Sequence, residues 1–199
     1  MADPEGPPAF PAERLLVLVT GSLGAAFLPF WINWLRHSYP ALDVRVVVSR
    51  GAERFVTRQS IASLIGKDVP LDAWPEAAGP DSPHVDYATW PDAVLVYPAT
   101  YHFLGRFAGG LADSPMLLAL QCTSAPIGIA PALPPGATGS YAYRRHRAAI
   151  AERPNVVVAD PVPATSAHTG KRDGTAAAPL SLLIERLAGL CAQRAKEDP

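Results

Sequence analysis

Apolar positions along the chain fall into short unbroken runs, separated by longer stretches of helical period. Residues 15–20 (LLVLVT) show no polar alternation, the pattern of a parallel strand buried on both faces. Residues 44–49 (VRVVVS) and 94–97 read as strands too, the latter stopping at Pro98, and 116–121, 126–131 and 156–158 read as further strands. Between these, 22–37, 52–65, 103–112, 141–151 and 180–195 are long enough for helices, with Pro29 near the first turns of the first. Residues 66–83 carry Pro70, Pro75, Pro80 and Pro83 and read as irregular. The alternation predicts an α/β protein, a Rossmann-like three-layer αβα fold around a mostly parallel sheet of roughly six strands. Ligands of such sheets lie beyond the carboxyl ends of the strands. That selects the loops 21–24, 49–52, 98–102 and 131–139.

The 199 residues suit one domain, expected over 13–195, with a loose Pro-rich tail at 1–12 and a short tail at 196–199. Hydrophobic residues make up 49% and charged residues 18%, enough for a sizeable core. The formal net charge of −1 gives no reason to expect nucleic acid or an anionic membrane as partner. No apolar run reaches the ~18 residues of a membrane span. The first eleven residues hold Asp3, Glu5 and four prolines and no basic region, unlike an export signal, so a cytoplasmic location is expected. Cys122 and Cys191 form no CxxC pair, and none of the five histidines has metal-ligand spacing, so no metal site is expected.

Thr20-Gly21-Ser22-Leu23-Gly24 stands between a strand and a helix. Two readings remain open there: a phosphate cradle made by backbone N–H groups, the helix dipole and the Ser22 hydroxyl, or a plain turn with Ser22 as helix cap. Ser49 and Arg50 end the second strand, as a hydroxyl and cationic contact or as a cap and a solvated side chain. His84, in SPHVD, carries an imidazole suited to proton transfer and is a proton carrier if it lies in the cleft; a lone histidine is more often surface or core. Asp113 reads as an orienting carboxylate or a turn residue. The basic run from Tyr141 through Tyr143, Arg144, Arg145, His146 and Arg147 reads as an acidic-ligand site or a solvated helix face.

Several of these segments, in order, resemble the flavin-containing cysteine decarboxylase family, which includes lantibiotic-type peptide decarboxylases and phosphopantothenoylcysteine decarboxylase. Residues 15–24 (LLVLVTGSLG) are similar to its opening strand and phosphate turn, and 46–56 (VVVSRGAERFV) to its second strand and hydroxyl turn. Residues 84–99 (HVDYATWPDAVLVYPA) resemble the stretch from its active-site histidine to the third main strand. PATYHF at 98–103 stands where the family has a PASANT-like motif, and 105–115 where it has a G-x-x-D-N turn. The likeness runs over roughly residues 14–190. Three departures stand out: His102 replaces the Asn of PASANT, Ser114 replaces the Asn after Asp113, and 131–138 read PALPPGAT in place of PxMNxxMW. Leu133 and Pro134 thus take the Met and Asn positions, and Pro134 has neither amide side chain nor N–H.

The resemblance implies FMN as cofactor, held by Gly21, Ser22, Leu23, Ser49, Phe55, Pro98, Ala99, Thr100, His102 and Asp113. It implies His84 as the catalytic acid/base and a precursor peptide ending in cysteine as substrate. Substrate contacts are expected from His102, Leu133, Tyr143 and Arg144, and from Thr169, Gly170 and Lys171, which resemble the substrate clamp of the peptide enzymes. The product is expected to be an aminoenethiol that enters an aminovinyl-cysteine ring with the help of partner enzymes. Family members form trimers, or dodecamers built from trimers, with FMN near subunit contacts. Alternatives within the fold are phosphopantothenoylcysteine decarboxylase, against which the loss of the Asn at Pro134 argues, and a non-catalytic flavin-binding regulatory subunit, against which His84 argues. A flavin prenyltransferase is more remote.

Overall fold

The structure is a computed structural model that describes residues 6–76 and 80–197. Five parallel strands form the main sheet: β1 (Arg14–Val19), β2 (Asp43–Val48), β3 (Ala93–Thr100), β4 (Ile127–Ala132) and β5 (Val156–Val158), in the order β2-β1-β3-β4-β5. The chain leaves β1 towards β2 on one side and returns to β3 on the other. The crevice between the carboxyl ends of β1 and β3 is therefore the switch point at which such sheets bind ligands.

The apolar runs fill two cores. Along β1, Leu15, Val17 and Val19 face one helical layer, with α1 (Leu28–Ser38), α2 (Arg58–Ile65) and α7 (Leu180–Glu197). Leu16 and Leu18 face the other, built from α4 (Tyr101–Ala108), α5 (Pro115–Cys122) and α6 (Tyr141–Ala151). α3 (Pro83–Thr89) packs against α5 and adds Tyr87 to the edge of this layer. A strand covered on both faces has no reason to alternate polar with apolar, which accounts for the unbroken runs.

The main sheet has five strands rather than six, because residues 116–121 are helical. Ser114 caps α5 by accepting the Leu117 N–H, Pro115 sits in its first turn, and Asp72 accepts the Met116 N–H at 2.9 Å. The run MLLALQ contains good helix formers and no β-branched residue. It lacks an amphipathic signature because Met116, Leu117, Ala119 and Leu120 are all buried. Residues 52–65 split into a single 3-10 turn (Ala52–Arg54) and α2, which Thr57 caps. Residues 22–37 likewise divide into a 3-10 turn (Leu23–Phe27) and α1. A separate antiparallel hairpin, β6 (Val162–Ala164) with β7 (Gly174–Ala176), lies beyond β5.

Of the segment expected as an N-terminal tail, residues 1–5 lie outside the described residues. Within it, the Tyr39 hydroxyl donates to Pro8 O at 2.7 Å, and Phe10 meets the Tyr39 ring edge-on. At the other end α7 continues to Glu197, and 198–199 lie outside the described residues. Among the described residues no helix is long and apolar enough to cross a membrane. No group of three or more potential ligands there is placed to hold a metal ion.

Asp92, just before β3, fastens the amino-terminal edge of the sheet. It accepts the N–H groups of Glu13 and Arg14 and the Arg14 guanidinium, with Nη2 at 2.6 Å. The Arg14 hydrogen bond holds its carboxyl below the usual carboxylate range. A depressed carboxyl pKa contributes stability that is present above the unfolded value of ~3.9 and lost as pH falls through the folded value. Asp92→Asn is expected to lower the melting temperature at neutral pH and to flatten the acid side of a melting-temperature-against-pH profile. An unchanged acid side would remove this ion pair from the account.

Candidate active site

The switch point opens into a cleft of about 760 Å³ at the carboxyl ends of β1, β3 and β4. Its rim is fixed by Thr20, which is only 4% exposed. The Thr20 hydroxyl donates to Pro98 O and accepts the Thr100 N–H, both at 2.8 Å. These bonds tie β1 to β3 across the crevice. The Thr100 hydroxyl in turn accepts the Phe103 N–H and so starts α4 beside the cleft. Phe27, Trp31, Tyr97 and Tyr101 supply aromatic walls. Burial pushes the Tyr97 phenol well above its usual pKa, so it stays neutral at physiological pH.

The turn after β1 carries the clearest sign of a missing partner. Ser22 Oγ is buried and makes no hydrogen bond. Buried hydroxyls are nearly always paired, so this one is set for an acceptor that the protein itself does not provide. Gly21 has a different reason from the one its motif suggests. A Cβ there would stand 2.5 Å from the carbonyl carbon of Gly51, so the turns after β1 and β2 pack backbone against backbone. Ser49 belongs to this second turn, where its hydroxyl accepts the Ala52 N–H at 3.3 Å.

Of the expected cofactor residues, Gly21, Ser22, Leu23, Thr100 and His102 line the cleft together. A Cβ at Gly24 would stand 3.6 Å from the Pro98 ring, and Ala99 is fully buried. Ser49 and Phe55 lie in and beyond the neighbouring turn and are not cleft-lining. Of the expected substrate residues, Leu133 lines the cleft, but Tyr143 and Arg144 stand behind it on α6. Tyr143 packs near Tyr101, and Arg144 donates to Gly139 O. Thr169, Gly170 and Lys171 form the exposed turn between β6 and β7, away from the lining.

His84 and Asp113 occupy another face. His84 lines a shallow groove with Val85, Ala88, Cys122 and Pro126. Its ring meets Trp74 edge-on at 5.4 Å, and the Trp74 N–H donates to Asp113 O. Among the described residues, His84 Nδ1 is the other buried side-chain polar atom without a partner. Asp113 is ion-paired with Arg106, whose hydrogen bond holds the carboxyl below its usual range.

Sequence reasoning missed Thr20, Tyr101 and Thr175 as builders of the cleft. Thr20 stood inside the quoted motif without a role, and only the partner strand reveals one. Thr175 on β7 accepts the Leu133 N–H and donates to Leu133 O, pinning the hairpin over the end of β4. No sequence signal marks that contact, since 42 residues separate the pair.

A family model described as Flavoprotein matches residues 9–184. The chain belongs to the Flavoprotein family. Among curated proteins, this flavoprotein is 39% identical over 125 residues to a cypemycin cysteine dehydrogenase (decarboxylating) from Streptomyces sp, covering 63% of the chain and 66% of the relative. The aligned stretch thus spans just under two thirds of that relative's length. Among solved structures, the cypemycin decarboxylase CypD superposes with a TM-score of 0.75 at 30% identity, over 98% of this flavoprotein and 100% of CypD. The FMN-dependent cysteine decarboxylase SpaF shares the fold, with a TM-score of 0.76 at 23% identity over 90% and 97% of the two chains.

The cleft fits a flavin mononucleotide. The unpaired Ser22 hydroxyl lies at the turn where a phosphoryl group would be received, and the aromatic walls flank a cavity within the usual ~300–1,000 Å³ of cofactor sites.

Proposed function

We propose that this flavoprotein binds FMN in the β1–β3 cleft and oxidatively decarboxylates the C-terminal cysteine of a precursor peptide, yielding an aminoenethiol for aminovinyl-cysteine formation. The observation that carries this reading is the orphaned Ser22 hydroxyl inside an aromatic-walled cleft at the switch point. The likeness to CypD along nearly the whole chain supports it.

Ser22 and its turn would hold the phosphate, and Trp31, Tyr97, Thr100 and Tyr101 would flank the rest of the cofactor. FMN, when bound, supplies a two-electron acceptor, which lets the carbon bearing sulfur become a thioaldehyde and so gives the departing carboxylate's electrons a place to go. The C–C bond to the carboxyl group then breaks as CO2, and its electron pair moves into C=S to give an enethiolate. His84 holds and returns the proton at the substrate sulfur. The aromatic lining keeps water from the reacting carbon.

The protein acts as a homo-oligomer, a trimer or a dodecamer built from trimers, in the cytoplasm and alongside partner biosynthetic enzymes. Two exposed apolar surfaces support the assembly. Leu23, Phe27 and Phe30 are 55%, 62% and 60% exposed beside the cleft, while Trp74, Val85 and Leu111 stand open on the His84–Asp113 side. Joining the first surface of one copy to the second of the next is a heterologous contact, the kind that builds a ring where its rotation closes. In such a ring His84 of one copy would face the cleft of its neighbour.

The test is to identify the released chromophore by mass and to incubate the protein with a peptide ending in cysteine. The expected result is FMN, and a product lighter by CO2 plus two hydrogens. A colourless protein that takes up no FMN, or turnover of phosphopantothenoylcysteine in place of the peptide, overturns the reading.

A further inference from the structure

The cleft has two anionic tenants to satisfy under the reading above, on which this inference rests: the cofactor phosphate and the C-terminal carboxylate of the peptide. Its lining is poor in charge. Among the described lining residues there is no Asp, Glu, Lys or Arg, and His102 alone can carry a positive charge.

The end of β4 has nothing to give an anion. The Leu133 N–H is already donated to Thr175 Oγ1, and the next residue is Pro134, which has no N–H and no polar side chain. The backbone donor at the rim is taken as well. The Thr100 N–H goes to Thr20, and the Thr100 hydroxyl accepts the Phe103 N–H. The Tyr101 hydroxyl is paired with Ser140 Oγ at 3.0 Å. Neutral donors remain on other lining groups, the Thr100 hydroxyl, the Trp31 indole and the Tyr97 phenol among them, but of the described lining side chains only His102 can add a positive charge to its hydrogen bond.

We propose that His102 is the residue that selects the free carboxylate of the substrate's last residue. The Ser22 turn takes the phosphate, and the His102 imidazole, standing at the mouth of an otherwise uncharged cavity, takes the carboxylate. His102 thereby replaces the donor that Pro134 cannot supply. An imidazole N–H donates in either protonation state and adds a charge when protonated. Peptides whose terminal carboxyl is amidated are excluded on this basis, because the site then loses its one charge-assisted hydrogen bond.

The experiment uses the flavin-loaded protein and two non-reacting peptides that end in serine in place of cysteine, one with a free carboxylate and one amidated. Binding is measured by calorimetry for the wild type, His102→Asn and His102→Ala, and the flavin-to-protein ratio of each is read from absorbance. The wild type is expected to prefer the acid by about 10-fold or more. Both variants are expected to bind acid and amide within about 2-fold of each other while keeping wild-type flavin content. Undiminished preference for the acid in His102→Ala overturns the inference. Loss of flavin from both variants also overturns it and moves His102 to the cofactor phosphate. If the wild type binds neither peptide and fails to turn over the cysteine peptide, the underlying functional reading fails and this inference goes with it. If it turns over cysteine peptides yet prefers the amide or neither, only the inference fails.

Discussion

Gly21→Ala is expected to empty the cleft of flavin. The added Cβ would lie 2.5, 2.6 and 2.7 Å from the carbonyl carbon, carbonyl oxygen and Cα of Gly51. All three are backbone atoms, so no side chain can rotate out of the way. The turn that carries Gly51 is itself anchored, since the Ser49 N–H donates to Val19 O at 2.9 Å and the Ala52 N–H to Ser49 O at 2.9 Å. The turns after β1 and β2 must therefore separate, and Ser22 moves with the first of them. Overpacking of this kind typically costs ~1–3 kcal/mol. Imposed on the bound state, that range corresponds to a loss of about 5- to 150-fold in cofactor affinity. The measurement is the flavin-to-protein absorbance ratio after purification, set beside the melting temperature. Gly139→Ala is the control, because a Cβ there meets nothing within 4 Å. A Gly21→Ala protein with wild-type flavin content would show that the contact between the two turns does not set the cofactor site.

His84→Asn is expected to lower kcat by ~10²–10⁴-fold, the usual worth of a positioned acid/base, while flavin content and peptide binding stay as in the wild type. Asparagine keeps a polar group of similar size against Trp74 but has no titratable nitrogen, so folding is preserved. Full turnover by His84→Asn would remove the histidine from the chemistry. A mixing experiment then locates the group. Ala132→Trp fills the cleft from the end of β4 and leaves His84 intact. Co-expressed with His84→Asn, it gives assemblies in which some clefts from one variant face a histidine from the other. Random assembly of a ring with shared sites restores about a quarter of the sites. A site built within one chain restores none.

The fold was largely legible because its main determinant is local. Runs such as 15–20 and 44–49 are long enough and β-branched enough to be strands, and only Arg45 breaks their apolar interior. The helix over Tyr141–Ala151 matches its sequence boundaries because Ser140 caps its start. The error at 116–121 has the same root as the successes. An apolar run buried on all sides looks alike in a strand and in a helix, and only the cap at Ser114 and the absence of β-branching separate them. The short α3 and the β6–β7 hairpin were missed because seven residues and three-residue strands carry too little periodicity to stand out.

The candidate site divides in a similar way. Gly21, Ser22, Thr100 and His102 were accessible from the sequence, since each follows an apolar run at the place where a parallel sheet exposes its ligand side. The reason for Gly21 was not accessible, because it lies in the backbone of Gly51, thirty residues further on. Tyr143 and Arg144 were chosen by type and turned out to lie behind the cleft, for side-chain chemistry says nothing about which way a helix face turns.

By itself, the sequence determined that this chain is a doubly covered α/β protein whose chemistry lies at the carboxyl ends of its strands. The spacing of apolar residues encodes burial, and burial on both faces leaves few architectures. Only the tertiary structure decided the order β2-β1-β3-β4-β5, and with it the crevice between β1 and β3. It also left Ser22 without a partner in that crevice and set His84 on a different face from the cleft of its own chain. Those facts depend on pairings between residues about eighty positions apart, such as Thr20 with Pro98 and Thr100. Local pattern cannot encode them, because each hydrogen bond needs a donor and an acceptor that meet only when the sheet has formed.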